Sequence, residues 1–441
     1  MCLPQAHEAN VRLMCRVASP LVSRLGEALA PTRLGTPFRW LMSASWSSNI
    51  GDGIALAAGP LLVASQTRSP TLVAMAALLQ RLPWLLLGLW AGAIADRLDR
   101  KRIIIVANAL RVLVVVALCG FIVSDQVSIG IVLATMFVYG VCEVFADSTT
   151  GTLLPMVVRR DDLRTGQVRL QAGFLTANQL VGPPVGAFLF AAGMVWPFVT
   201  QVLLVVVAIG LVSRMELPRG GVRGAVDTHV RADIVDGLRW VRHHAAMRTL
   251  ALVILTFNIT WGAAWSVLVL YSLDHLHMGA VGFGLLTTAS AVGGVLATTN
   301  FDRLSPRFSL ATLMKVCLLA EVVTHLALAL ATTGWVAIII MTVFGAYAFT
   351  WGTVSNTVRQ RAVPTAYQGR VGSVYMTGLF LGLVIGQAIG GPIAEHWGLT
   401  APFWFAFVGT ALILALVWRQ LGSIAHAGDD DPDLKGHPDH G

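Results

Sequence analysis

Seven ionisable side chains stand inside long apolar stretches of the chain: Asp52, Arg81, Arg111, Glu143, Asp147, Glu321 and His325. An ionisable group in such a stretch is costly, and those that persist usually handle protons, ions or substrate. Glu143 and Asp147 are four residues apart and share one face of a helix. At ~1.5 Å per residue, Asp52 and Arg81 each stand about 14 residues from the same end of their stretches, near the middle, where they are positioned to pair. Arg111 and Asp147 share a second depth, about 8 residues in. Burial favours a neutral carboxyl, and a neighbouring guanidinium favours the charged form. A carboxylate whose arginine comes and goes with conformation therefore loads and releases a proton, as a proton-driven exchanger must. Asp52 is the leading proton-coupling candidate, with a fixed structural pair to Arg81 as the alternative; Glu143 and Asp147 follow. Glu321 and His325 lie four apart in another apolar stretch and are expected to form a satisfied local pair.

The elements that must hold these groups are membrane helices. The chain has 441 residues, 56% hydrophobic and only 12% charged, with a mean hydropathy of +0.71. Soluble domains carry roughly a quarter of charged residues. The composition therefore argues against a water-soluble enzyme, a disordered chain and a nucleic-acid binder. Twelve mostly apolar runs of roughly 20 residues, enough to span a bilayer, begin near Phe38, Pro70, Ile103, Val127, Leu170, Val195, Leu250, Ala280, Leu310, Trp335, Val371 and Thr400. Basic residues crowd alternate connections: Arg97, Arg100, Lys101 and Arg102; Arg159, Arg160 and Arg164; then Arg214 to Arg242; Arg303 and Arg307; and Arg359, Arg361 and Arg370. The other connections carry only Arg68. By the positive-inside rule both termini are expected in the cytoplasm of a cell (inner or plasma) membrane protein. Five unpaired cysteines predict neither a disulfide framework nor a zinc site. No metal, cofactor or nucleic acid is expected. The expected partners are the lipid bilayer, a small-molecule substrate and protons, with the chain a monomer.

The chain repeats itself at an offset of about 206–209 positions. Arg39, Asn49, Ile50, Gly53 and Ala55 in span 1 meet Arg248, Asn258, Ile259, Gly262 and Ala264 in span 7. Gly88 and Asp96-Arg97-Leu98 meet Gly294 and Asp302-Arg303-Leu304, and Asp147 meets Asn356. Gln179 to Gly186, with Gly182 and Pro183, meets Gln387 to Ala394, with Gly390, Gly391 and Pro392. These glycines and prolines are expected to thin or kink spans 5 and 11 and let neighbours approach closely. An even number of spans per half makes this a parallel repeat, with a substrate site at the midplane between halves. The expected organisation is a cytoplasmic segment 1–36, a six-helix bundle 37–216, a linker 217–247 with an amphipathic helix, a second bundle 248–422 and a disordered acidic tail 423–441.

Gly92-Ala93-Ile94-Ala95-Asp96-Arg97-Leu98-Asp99-Arg100-Lys101-Arg102 resembles the loop between spans 2 and 3 of the major facilitator superfamily. Asp99 stands where that loop usually has glycine. Together with Gly51-Asp52, Arg81-Leu82-Pro83, Leu154-Pro155 and Gly182-Pro183 it resembles the branch of proton-coupled drug, macrolide and siderophore exporters that includes the enterobactin exporter. The span-5 glycine motif of antiporters is incomplete, with Asn178 and Ala187 where glycines are typical. The resemblance implies an all-α integral membrane protein, twelve transmembrane helices in two pseudo-symmetric six-helix bundles. It implies a gating role for Gly92, Asp96, Arg97, Asp99, Arg100 and Lys101, and a cavity lined by spans 1, 4, 7 and 10. Spans 3, 6, 9 and 12 are then peripheral, which demotes Arg111, Glu321 and His325. Candidate cavity residues are Asn49, Asn258, Trp261, Trp265, Tyr347, Trp351, Asn356 and Tyr375, an aromatic surface suited to a hydrophobic or amphipathic substrate. The resulting expectation is proton-coupled efflux by alternating access. The alternatives are a proton-coupled importer on the same fold and, further off, a membrane-embedded lipid-handling or sensor protein. No nucleotide loop or serine-nucleophile motif points to an enzyme.

Overall fold

The computed structural model describes residues 32–216, 230–304 and 307–425. The expected segment 1–36 therefore lies almost wholly outside the described residues, as do the first part of the linker and the acidic end of the tail. So do the side chains of Asp96 and Arg97.

Every described element is helical. We label the long helices α1 (Gly35–Gln66), α2 (Pro70–Arg97), α3 (Arg100–Val123), α4 (Ile129–Thr150), α5 (Arg160–Ala192), α6 (Trp196–Ser213), α7 (Ala245–Trp265), α8 (Gly279–Leu304), α9 (Leu310–Leu330), α10 (Gly334–Ala362), α11 (Gln368–Trp397) and α12 (Ala401–Val417). Ten of these are long and apolar enough to cross a membrane. The other two are α1, which is 32 residues long but carries a polar stripe from Ser43 to Asp52, and α12, an apolar helix of 17 residues. Helices satisfy their own backbone groups, as hydrocarbon requires. Four of their starts are capped by short polar side chains: Ser69 accepts from Leu72 N ahead of Pro70, Asp99 from Arg102 N, Ser128 from Ile131 N and Ser309 from Thr312 N. Asp99, in the place of the usual glycine, is thus the N-cap of α3.

Span 5 is not a plain α-helix. Leu163–Phe174 and Gly182–Ala192 are joined by a π-helical stretch, Leu175–Val181. Pro183 and Pro184 have no N–H for carbonyls one turn back, and a widened turn accommodates that loss. The close approach expected here is present. A methyl on Gly182 would strike the backbone of Gly53, and one on Gly186 the carbonyl of Ile54, so α5 lies against α1 backbone to backbone. In the same way Gly390 meets Ala263 on α7.

Packing repeats with the sequence. Helix α1 packs on α5 and α6, and α7 on α11 and α12; α2 packs on α4, and α8 on α10; α3 packs on α4 and α6, and α9 on α10 and α12. The two sets meet through α2 against α11 and α5 against α8. At the Arg68 end one buried apolar cluster crosses between them, including Leu61, Leu62 and Val73 from the first set and Leu268, Tyr271 and Phe283 from the second. Arg68 pairs there with Asp274 at 2.8 Å, and Glu395 accepts from Ser69 Oγ at 3.0 Å and Thr71 N at 3.1 Å. Gly391 abuts Thr71 and Ala74 of α2, leaving no room for a side chain. Toward the basic end the apolar clusters separate: two belong to the first set alone, and one to the second with Val241 of a surface helix. The halves are thus joined by a shared apolar cluster at the Arg68 end, while each apolar cluster at the basic end belongs to one half. The amphipathic helix expected in the linker is Val230–His243; Trp240 stacks on Tyr367 and Asp236 reaches Arg370 at 3.9 Å.

Candidate functional site

Arg111 is the most deeply placed charge, 1% exposed, and Asp52 beside it is 8% exposed. Arg111 donates to Asp52 and to the Tyr139 hydroxyl, and to Asn108 Oδ1 at 3.0 Å. Tyr139 in turn donates to Asp52 Oδ1 at 2.6 Å and accepts from Gln201 Nε2 at 2.9 Å. Ser48 Oγ completes the carboxylate's shell at 3.3 Å. Helices α1, α3, α4 and α6 each supply part of this network, and Tyr139 uses its donor and both lone pairs.

Two expectations are corrected here. Asp52 pairs with Arg111, not Arg81, and Arg111 does not pair with Asp147. The depths above were counted from the basic ends, where these helices start at different levels. From the opposite ends, Asp52 is fourteen residues before Gln66 and Arg111 twelve before Val123. They lie within about 3 Å of one level, and α3 and α1 share the neighbour α6. Arg111 is therefore central, not peripheral. Arg81, half-buried on α2, faces Glu143 electrostatically instead.

Tyr139, Glu143 and Asp147 follow at four-residue steps along α4. Tyr139 is buried, Glu143 half-buried and Asp147 exposed, and Glu143 and Asp147 both interact electrostatically with Asp52 and Arg111. The row descends about 12 Å from the basic end of α4 to the ion pair. Tyr139 and Gln201 escaped the sequence reading. Tyr139 was detectable as the next residue in the Glu143–Asp147 spacing; Gln201 had no comparable signal.

The gating-loop residues engage their own half. Arg100 reaches the Ala95 carbonyl and Met156 Sδ. Lys101 Nζ donates to the carbonyls of Ser213 and Met215 at 2.6 and 2.8 Å, tying α3 to the end of α6. Gly92 has open space around it.

The cavity candidates fall into two groups. Trp261 and Trp265 of α7 lie 4.6 Å apart, and Trp261 stacks on Phe344 of α10 at 4.2 Å; Phe344 meets Tyr347 edge-on at 5.5 Å. Tyr347 itself is buried toward α9, so Phe344, not Tyr347, extends the aromatic surface. Nearer the basic end, Tyr375 holds the Arg359 guanidinium over its ring at 4.8 Å, and Asn356 accepts from Arg359 at 2.7 Å. Trp351 packs in the same region. Asn49 and Asn258 are half-buried, and each donates to a carbonyl one turn back, Ser45 and Ile254. Trp84 stacks on Phe380 across the α2–α11 contact.

A repeated helical packing and a buried charge network fit a membrane transporter of the major facilitator class. The chain belongs to the transmembrane secretion effector family of that superfamily, whose model matches residues 26–433. It is a multi-pass membrane transporter, not an enzyme. It is 25% identical over 401 residues to the multidrug efflux pump Tap of Mycolicibacterium fortuitum, covering 88% of this chain and 95% of Tap. It is 23% identical over 373 residues to macrolide efflux protein A of Streptococcus pyogenes, covering 81% and 89%. It is 23% identical over 397 residues to the enterobactin exporter EntS of Shigella boydii, covering 86% and 92%. Among solved structures, the nucleoside transporter NupG superposes with a TM-score of 0.68 at 12% identity, covering 88% of this chain and 99% of NupG. A bacterial homologue of ferroportin in an inward-facing state gives 0.68 at 15%, covering 89% and 99%. These two likenesses carry the fold alone.

Proposed function

We propose that the chain exports hydrophobic or amphipathic small molecules, drug-like or siderophore-like, in exchange for protons, by alternating access between two six-helix bundles. The single observation that carries this reading is the row Asp147–Glu143–Tyr139 leading from the basic end to the Asp52–Arg111 pair. Protons entering from the cleft meet carboxylates at one-turn spacing, and at the end of the row a carboxylate held by a fixed guanidinium. A shift of α1 against α3 would free Asp52 to take a proton; the return of Arg111 would expel it. Relatives named as efflux pumps support the direction.

In this reading α1 to α12 are the twelve spans, both termini face the cytoplasm of a plasma membrane, and the basic-end cleft opens inward. Residues 37–216 and 248–422 form the two bundles, joined by 217–247, and the chain works as a monomer. Gly92, Asp96, Arg97, Asp99, Arg100 and Lys101 form the gate loop, with Arg100 and Lys101 here bonded within their own bundle. The Trp261–Trp265–Phe344 surface takes the greasy part of the substrate.

The test is accumulation of fluorescent dyes and antibiotics in an efflux-deficient bacterium. Cells expressing the wild type should accumulate less than control cells. A protonophore or Asp52→Asn should abolish the difference. Equal accumulation with and without the protein across a broad panel would remove the multidrug reading.

A further inference from the structure

The second half contains a buried ionisable cluster that the mechanism above does not use. His325, fully buried, contacts Glu321 Oε1 through Nε2 at 3.1 Å. Tyr347 of α10 is the electrostatic neighbour of Glu321, and Trp261 lies 6.2 Å from the imidazole. The Nδ1 atom of His325 and the Tyr347 hydroxyl make no hydrogen bond of good geometry.

The cluster occupies the place of the first-half network. Asp52, Arg111, Tyr139 and Gln201 map at offsets of 208–210 onto Trp261, Glu321, Tyr347 and Thr410, and the helices that carry them pack in the same pattern. Glu321 stands eleven residues into α9 as Arg111 stands eleven into α3. Tyrosine is retained, the α1 carboxylate is replaced by the Trp261 indole, and the carboxylate sits where the arginine was. Its cation is no longer permanent: it is an imidazole one turn along the same helix.

That exchange changes what the cluster can do. The Asp52–Arg111 pair keeps a permanent cation beside its carboxylate. Glu321–His325 carries a net charge of −1 when neither group holds a proton, and becomes neutral by taking up one. The groups facing it are Tyr347 from α10 and Cys317 from its own helix; α7 presents Trp261, and α12 has no ionisable residue along its span. No permanent cation is present among them to compensate an unprotonated cluster.

We propose that Glu321, His325 and Tyr347 form a second proton-binding site, lying behind the aromatic surface and reporting its occupancy through Trp261. This rests on the reading of the chain as a proton-driven transporter, but its test does not require transport. Trp261 stacks on Phe344 and lies 6.2 Å from the imidazole, so a substrate that moves this pair also changes access of water to His325.

A protonated imidazole quenches a neighbouring indole. The full chain in lipid nanodiscs, without substrate, is titrated with protons alone from pH 5 to 9, and the emission that Trp261→Phe removes is followed. The wild type and Asp52→Asn should both show a single step in that emission. His325→Gln should lose it, and Glu321→Gln should displace its midpoint by at least one pH unit, a tenfold change in proton affinity. If either variant fails to fold, Tyr347→Phe, which leaves both titrating groups in place, should still displace the midpoint. A Trp261 signal that is flat with pH, or a step unchanged in His325→Gln, overturns the proposal. If the step is present but efflux ignores protonophores, the exporter reading falls and the site stands. If efflux collapses with protonophores but the step is absent, the site alone falls.

Discussion

Replacing Arg111 with methionine keeps the volume and removes the charge. Asp52 would keep its bonds from Tyr139 and Ser48 but lose its only cation, while Asn108 and Tyr139 each lose a donor. Breaking a buried pair by deleting one partner costs about 3–5 kcal/mol. Removing both charges is far cheaper, because no uncompensated charge remains. The double variant Asp52→Asn with Arg111→Met should therefore regain at least about 2 kcal/mol over Arg111→Met alone, a coupling expected only of groups in direct contact. The assay is denaturant unfolding of purified protein in mixed micelles, read as midpoints at a common slope. The gap between Arg111→Met and wild type should narrow as pH falls, because a proton on Asp52 removes the orphaned charge. Arg111→Met within about 1 kcal/mol of wild type, or a double variant less stable than the single, would refute the buried pair; 1 kcal/mol is the upper range of an exposed one.

Gly182→Val should destabilise by at least the roughly 1–3 kcal/mol of overpacking, since its Cβ meets Gly53 backbone, whereas Gly92→Ala, with open space around it, should leave thermal stability unchanged. Lys101→Ala removes two hydrogen bonds to the end of α6 and should cost about 1–3 kcal/mol, lowering the unfolding midpoint. Arg68→Ala breaks an exposed pair worth up to about 1 kcal/mol; labelling of a cysteine placed at Leu61 should rise less than about fivefold, and a rise beyond tenfold would mean that this pair alone holds the end shut.

The helices were legible because hydrocarbon demands long apolar runs: eleven begin within about five residues of their expected starts, α5 begins earlier, and the linker helix falls where amphipathicity placed it. The glycines of spans 5 and 11 foretold a close approach of neighbours, which the structure places at Gly182 against Gly53 and Gly390 against Ala263. Pairing was not legible. Depth along a helix does not carry its rotation, and an arginine spans several ångströms, so Arg81 and Arg111 were both within reach of Asp52 by counting alone. Which one pairs is decided by α3 and α1 meeting around α6. Demoting span 3 as peripheral failed for the same reason: Arg111 lies inside its own bundle, between helices, not on the outer surface. Tyr347 was misplaced by one helix face, since the five aromatic residues in α10 cannot all face the cavity.

The most direct test of the account is dye movement in proteoliposomes under an imposed pH gradient, with wild type and Asp52→Asn reconstituted in parallel. The account predicts that an inward-directed proton gradient drives dye out against its own gradient in the wild type, and that Asp52→Asn, folded but with a lowered unfolding midpoint, shows none of this gradient-driven movement. Gradient-driven movement by Asp52→Asn equal to wild type, or wild-type movement indifferent to the pH gradient, would contradict it.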